Sequence, residues 1–159
     1  MTDDHGASMN RGARPLSALD WLRRWLAPRP WWMNALMAFC LYMTFVYLPF
    51  DLFVKPVAID DEVWFGWKVH GWVAKATEPL HWLIYALGAY GFLRMRRWMW
   101  PWAALYVAQI SVGMFVWNVT DPRGAGWIGG LVSAGVFLIP TVALWRSRDR
   151  FRTAAGAAS

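Results

Sequence analysis

The sequence predicts an all-α, polytopic membrane protein with four transmembrane helices, both termini in the cytoplasm and a short interfacial helix in the first outer loop. Four apolar stretches are each about twenty residues long, which is the length that a helix needs to cross ~30 Å of hydrocarbon. Hydrophobic residues make up 58% of the 159 positions and charged residues only 16%. The 14 tryptophans gather at the ends of the apolar stretches, where indole rings settle at headgroup level.

The four spans are predicted at residues 31–53, 78–97, 98–119 and 125–145. They fill most of the chain, so we expect one transmembrane domain over residues 16–152 and no separate soluble domain. The flanking segments, residues 1–15 and 153–159, are polar or rich in Gly and Ala. They are predicted to be disordered cytoplasmic tails.

The distribution of charge predicts the orientation. Twelve of the 16 Lys and Arg residues lie before span one, between spans two and three, or after span four. Six of the 10 acidic residues lie in the other two connections. The positive-inside rule then places both termini in the cytoplasm of a multi-pass protein, which we expect in a bacterial inner membrane. The net charge of +6 is accounted for in this way, and no nucleic-acid partner is expected.

Local signals justify each element in order. Pro56 predicts that the first span ends near Val54, because proline disfavours helix in the residue before it. In the connection that follows, Phe65, Val69, Trp72 and Ala76 recur at helical spacing, which predicts a helix lying on the outer membrane surface. The acidic run Asp60-Asp61-Glu62 is interpreted as a solvated loop, since three adjacent acids cannot converge on a calcium ion without other ligands.

The later spans carry start signals of their own. Thr77 can cap the second span, with Glu78 and Pro79 in its first turn, and Pro101 marks the start of the third. Span four begins with small residues four apart, including Gly126 and Gly130. Such rows let helices approach closely, either within the chain or at a homodimer or membrane-complex interface.

Soluble-enzyme motifs are absent, so the candidate chemistry rests on polar residues near the outer ends of the spans. Asp51 lies between apolar neighbours. It is either a carboxylate reaching the headgroups or an acid at the mouth of a cavity between helices, and Lys55 one turn away can pair with it. The single cysteine, Cys40, excludes an internal disulfide and thiol-relay chemistry.

Glu78 and His81 are three residues apart and share a helix face, which suits an acid–base pair or a hydrogen bond. A di-iron site needs two such pairs, so no metal is expected. His70 and His81 are too far apart along one helix to hold a haem, and no cofactor is expected. Gln109 is strongly polar and deep in span three, so it is expected to face the bundle as an interhelical hydrogen bond or a ligand contact.

Several segments resemble one family. They are Tyr47–Asp51 followed by Pro56, Trp72–Pro79, Ala108–Ile110 and Leu138–Pro140. They are similar to segments of the four-span EXPERA family, which includes emopamil-binding protein, a sterol isomerase, and the sigma-2 receptor. Tyr47 stands where emopamil-binding protein has a His. The resemblance implies a ligand cavity entered from the bilayer and lined by aromatic residues such as Trp82, with Asp51, Glu78 and Gln109 as polar anchors.

The sequence therefore predicts a protein that binds a lipid-soluble, sterol- or isoprenoid-like small molecule in an intramembrane cavity. The ligand contacts are predicted at Tyr47, Asp51, Glu78, His81, Trp82 and Gln109. An aromatic-lined pocket with a carboxylate can stabilise a carbocation, so double-bond isomerisation is a hypothesis, with Asp51, Glu78 and His81 as its catalytic groups. The alternative is a non-catalytic accessory or scaffold subunit of a membrane complex, and a transporter half ranks third because repeats and deep charges are lacking.

Overall fold

Six α-helices and one β-hairpin make up the computed structural model, which describes residues 17–151. The predicted tails, 1–15 and 153–159, lie outside the described residues. The elements in chain order are α1 (Ala18–Leu26), α2 (Trp31–Tyr42), a π-helical segment (Met43–Tyr47), α3 (Leu48–Phe53), a short 3₁₀ turn (Val57–Ile59), β1 (Asp61–Trp64), β2 (Trp67–His70), α4 (Gly71–Leu93), α5 (Met99–Thr120) and α6 (Gly126–Trp145).

Within residues 17–151, three helical segments are long and apolar enough to cross a membrane. They are Trp31–Phe53, which joins α2 to α3 through the π segment, Met99–Thr120 and Gly126–Trp145. Their bounds agree closely with the predicted spans one, three and four. The predicted helical class is confirmed, and three helices able to cross a bilayer are consistent with a multi-pass membrane protein. Helix α4 has 23 residues but carries Lys75 and Glu78 in its first half, so a fourth span stays a prediction.

The π-helical segment widens the first span just before Asp51. Thr44 donates its hydroxyl hydrogen to the Cys40 carbonyl at 2.7 Å. The Thr44 carbonyl in turn accepts a hydrogen bond of 2.7 Å from the Trp82 indole on α4. π segments leave main-chain groups without their regular partners. The Trp82 indole supplies a hydrogen bond to one such carbonyl, that of Thr44, and thereby joins the first span to α4.

A β-hairpin stands where the surface helix was predicted, and that prediction is wrong. β1 and β2 pair antiparallel, with Trp64 opposite Trp67. Between them, Phe65 and Gly66 have φ values of 53° and 89°, which a two-residue hairpin turn requires and a helix forbids. The four residues with helical spacing begin at Phe65, within this turn. Only Trp72 and Ala76 lie on a helix, α4.

Helix α4 begins earlier than predicted. Its first residue is Gly71, at a φ of 59°, and Thr77 and Pro79 lie inside the helix rather than at its cap. Proline leaves the carbonyl four residues before it without a helical donor. The helix nevertheless continues through Pro79, because its first turns are held to the hairpin by hydrogen bonds and ion pairs described below.

Helices α5 and α6 form the most extensive helix pair. Ser111 donates to the Ala134 carbonyl at 2.7 Å. A Cβ added to Gly130 would lie 2.9 Å from the Phe115 ring, so Gly130 packs within the chain, and a partner surface on α6 stays a prediction. Gly126 meets nothing within 4 Å and has a φ of 68°.

The apolar core lies at the basic ends of the helices. Met33, Met37, Phe92, Met99 and Leu144 are buried there together. Beside them the Arg29 guanidinium is buried and donates to the carbonyls of Leu93 at 2.9 Å and Trp25 at 2.7 Å. Arg29 thereby closes the end of α4 and fixes α1 next to it, since the last carbonyls of a helix lack internal partners.

Candidate functional site

A chain of buried ion pairs joins the end of the first span to α4 at the opposite, acidic end of the molecule. Lys55 Nζ lies 2.9 Å from Asp51 Oδ1 and 2.6 Å from Asp60 Oδ1. Lys75 Nζ lies 2.9 Å from Asp60 Oδ2 and 3.3 Å from Glu78 Oε1. Asp60 is therefore shared between two ammonium groups. We call these five residues the buried ion cluster.

Local structure places each member of the buried ion cluster. Asp51 lies on α3, and Lys55 follows one turn later, where Pro56 ends the helical path. Asp60 lies between the 3₁₀ turn and β1, and its carbonyl accepts the Gly71 amide at 2.8 Å, which brings the start of α4 alongside. Asp60 therefore lies next to both Lys55, at the end of the first span, and Lys75, on α4.

Charge, rather than solvent, stabilises the centre of the cluster. Asp60 is only 1% exposed. Burial by itself would raise the pKa of Asp60, but Lys55 and Lys75 outweigh that effect and hold the pKa below its ordinary value. Burial likewise would lower the pKa of Lys55, and the carboxylates of Asp60 and Asp51 instead raise it. Asp51 pairs with Lys55, which is one of the possibilities that the sequence left open.

Glu78 is the most enclosed carboxyl group of the cluster, with 0% exposure. One of its oxygens, Oε1, faces Lys75. No donor among the described residues bonds to the other oxygen, Oε2, and the Asp60 carboxyl lies within hydrogen-bonding reach of the Glu78 carboxyl, so the two can share a proton. A buried carboxyl oxygen without a partner is costly, so Glu78 carries unused capacity to bind a proton or a polar group.

Glu62 organises a second group of side chains beside the cluster. Its Oε1 lies 2.8 Å from His81 Nδ1, and its Oε2 accepts hydrogen bonds from Thr77 Oγ1 at 2.7 Å and Trp64 Nε1 at 2.9 Å. The Trp64 ring stacks on the His81 ring at 3.9 Å. Burial by itself would raise the pKa of Glu62, but these hydrogen bonds lower it. His81 is thus oriented by Glu62 and not by Glu78, its predicted partner.

Three carboxylates of the two groups lie close enough to consider a cation. Asp51, Glu62 and Glu78 each offer an oxygen, and these oxygens lie within 4.8 Å of one another. Carboxylate oxygens are suitable ligands for hard cations. However, Lys55 binds Asp51 and His81 binds Glu62, so protein cations and donors already occupy much of this coordinating capacity.

The remaining predicted ligand residues lie at different distances from the cluster. Trp82 is one helical turn after Glu78 on the same face of α4, and its ring meets Phe53 edge-on at 6.5 Å. Gln109 lies on α5 beside Gly113, where the hairpin tip packs. Tyr47 is exposed. The structure therefore brings Asp51, Glu78, His81 and Trp82 to one side of α4.

The opposite side of the hairpin is tied to the connection between α5 and α6. Lys68 Nζ lies 3.3 Å from Asp121 Oδ2, and Arg123 Nε donates to Asp121 Oδ1 at 3.1 Å. An open groove of about 300 Å³ lies between Trp67 and Trp117. The hairpin is consequently held over the helix ends by ion pairs on both of its sides.

Sequence reasoning missed Asp60, Glu62, Lys75 and Thr77 as site residues. The solvated-loop interpretation of the acidic run is wrong for Asp60 and Glu62, which are buried, and correct for Asp61, whose side chain is 36% exposed. A usable signal was present. The alternating residues around Phe65-Gly66 are typical of strand, turn and strand, and such an alternation places Asp60 and Glu62 on one face and Asp61 on the other.

Comparison of the chain with protein-family models, curated proteins and solved structures finds no match. The resemblance to the EXPERA family stays a prediction that rests on the short segments around Asp51, Glu78 and Gln109.

Proposed function

We propose that this membrane protein binds a lipid-soluble small molecule, sterol- or isoprenoid-like in its apolar body, with its polar group held at the acidic end of α4. Glu78 Oε2 carries the proposal, because it is buried and no donor among the described residues bonds to it. An amine or hydroxyl on the ligand would supply the missing partner. Satisfying a buried polar atom favours binding by removing its desolvation penalty.

The surroundings of Glu78 support a ligand that arrives from the bilayer. Trp82 and Phe53 form an edge-to-face aromatic pair one turn further into α4, and Phe53 is exposed at the end of the first span. Aromatic rings provide a large apolar surface, and they also attract cationic groups. A ligand with an apolar body and one polar end fits this arrangement, whereas a fully polar metabolite does not.

Four spans with cytoplasmic termini are part of the proposal. The ion pairs above join α3, the hairpin and α4 at one end, while Arg29 joins α1 and α4 at the other. Single cysteines in a Cys40→Ala background test the topology with a membrane-impermeant thiol reagent. We expect Asp61→Cys to react from outside the cell and Arg96→Cys only after permeabilisation. Cytoplasmic labelling at position 61 would contradict the arrangement.

A catalytic role remains a hypothesis on the same site. Double-bond isomerisation adds a proton to one carbon and removes a proton from another, so no co-reactant is needed. The Glu62–His81 pair can carry such a proton, since Glu62 holds Nδ1 of the imidazole at 2.8 Å and fixes its orientation. Binding itself does not depend on this step.

Mass spectrometry of the gently solubilised protein tests the binding proposal. We expect a small molecule retained by the unmodified chain to be lost from Glu78→Gln, a change that keeps the shape of the side chain. Asp61→Asn is the matched control, because Asp61 is an acid whose side chain is 36% exposed, and it should retain the molecule. Asp51 lies too close to the site to serve as a control. An identical set of retained molecules in a folded Glu78→Gln protein would refute the proposal.

The accessory-subunit alternative is favoured by the outer face of α6. Of its 20 residues only Gly130 and Leu144 are buried, and Gly135 meets nothing within 4 Å. Because Gly135 is helical and open, Gly135→Leu is a cleaner test of this face than Gly126 or Gly130. Under this alternative a co-purifying protein should dissociate in Gly135→Leu and remain bound in Glu78→Gln.

A further inference from the structure

Helix α1, at the basic end of the molecule, has its polar and apolar residues on opposite faces. Projected at 100° per residue, the polar side chains Asp20, Arg23 and Arg24 occupy one continuous sector. The apolar side chains fill the rest of the circumference. None of the helix residues is buried. A short helix of this composition gains little from standing alone in water, so its apolar face requires an occupant.

The apolar face of α1 continues from the protein core to a region that no described residue covers. Trp25 and Leu26 pack against the core cluster, and Trp21 stacks on Trp25 with ring centroids 6.1 Å apart. Leu19 and Trp21 are 67% and 60% exposed. The exposed part of this face therefore lies shortly before the first span, which begins at Trp31.

We propose that α1 lies in the surface of the bilayer at the basic end of the spans and binds anionic lipid headgroups through Arg23 and Arg24. Both arginines are exposed, and the described residues supply no ion-pair partner for either. The nearby connection after α4 adds Arg94, Arg96 and Arg97 to the same end of the molecule. Charge complementarity thus favours lipid phosphate over an acidic protein surface, because the apolar residues beside these arginines are continuous with a membrane span.

The buried Arg29 fixes this placement. It donates to Trp25 at the end of α1 and to Leu93 at the end of α4, and it also donates to Asn34 Oδ1 at 2.8 Å. Asn34 returns a hydrogen bond of 3.1 Å to the Leu26 carbonyl. The turn between α1 and the span is therefore closed by side chains, which holds α1 near the plane where the span enters the bilayer.

Spin labels on the full chain in lipid nanodiscs test the proposal. Leu22→Cys, on the apolar face, and Arg24→Cys, on the polar face, are labelled separately in the Cys40→Ala background. With anionic phosphatidylglycerol present, the Leu22 label should be accessible to oxygen and shielded from a water-soluble nickel reagent, and the Arg24 label should show the reverse. The nickel-shielded and nickel-accessible populations of the Leu22 label give the ratio of docked to undocked α1. In the Leu22-labelled chain, Arg23→Gln with Arg24→Gln should lower this ratio about fivefold for each arginine.

Arg123→Gln is the control for the loss of one positive charge, because Arg123 is 60% exposed and lies at the opposite, acidic end of the molecule. It should leave the ratio unchanged. A nickel-accessible label at Leu22 in every lipid would overturn the proposal. Docking that is indifferent to phosphatidylglycerol and to the two arginines would also overturn it. Spin–spin broadening that disappears on dilution with unlabelled chain would instead identify a second copy as the occupant.

Discussion

Replacing Asp60 with Asn should destabilise the acidic end of the molecule while leaving its shape intact. Asp60 is shared by Lys55 at 2.6 Å and Lys75 at 2.9 Å. Asn keeps the volume but removes the charge that both ammonium groups face. Breaking a buried ion pair by removing one partner costs about 3–5 kcal/mol.

The expected cost lies at the lower end of that range, because neither lysine becomes isolated. Lys55 keeps Asp51 at 2.9 Å. Lys75 keeps Glu78 at 3.3 Å and also donates to the Lys55 carbonyl at 3.2 Å. We therefore expect a loss of about 3 kcal/mol in the free energy of unfolding. For a chain of this size that corresponds to a fall in Tm of roughly 6–12 °C.

Thermal unfolding in detergent, followed by circular dichroism, measures this loss. Asp61→Asn is the matched control, because Asp61 is the next residue and its side chain is 36% exposed. Its contacts with His70, Lys68 and Arg123 all lie at the surface. An exposed pair of this kind contributes at most about 1 kcal/mol. If Asp60→Asn lowers Tm no more than Asp61→Asn does, the buried ion cluster does not stabilise the fold and the reasoning fails.

Two further predictions concern the hairpin and its carboxylates. Gly66→Ala should lower the free energy of unfolding by more than about 2 kcal/mol, because Gly66 has a φ of 89° and an added Cβ would lie 2.3 Å from Val116 Cβ. Gly135→Ala is the control, because the helix faces open space there. In the same assay it should be neutral or stabilising by up to about 1 kcal/mol. Equal effects of the two changes would contradict the packing described for the hairpin tip. The stability of the acidic end should also fall in acid, because the pKa values of Asp60 and Glu62 in the folded protein lie below their ordinary values of 3.8 and 4.5. The two carboxylates therefore stabilise the fold fully at pH values above these ordinary pKa values. That stabilisation is lost as the pH drops through their pKa values in the folded protein. Unfolding measured from pH 6 down to about pH 2 should show this loss in the unmodified chain and a smaller one in Asp60→Asn, and a flat profile would argue against it.

The spans could be predicted from sequence because they depend on length and local composition. The bounds of Trp31–Phe53 and Gly126–Trp145 follow directly from where apolar residues begin and end. The start of α4 could not be predicted in this way, because Pro79 resembles a first-turn residue. Its place inside the helix depends on long-range contacts, such as the bond from Gly71 to Asp60.

The candidate site was predictable only in part for a related reason. Asp51 and Glu78 attract notice because each is an acid next to an apolar run. Asp60 and Glu62 do not, because an acidic run in a connection is usually solvated, and their burial depends on how the hairpin folds back onto α4. Pairings such as Lys75 with Asp60 and Thr77 with Glu62 join separate elements, and no local spacing encodes them.

The separation of the two kinds of packing has a consequence for how this molecule can move. At one end methionine, phenylalanine and leucine side chains hold the helices together, and at the other end lysines and carboxylates do so. Proton concentration acts strongly on the second set of contacts and hardly at all on the first. We therefore expect acid to open the hairpin locally while the far half of the bundle stays assembled, because the two sets of contacts share no residues.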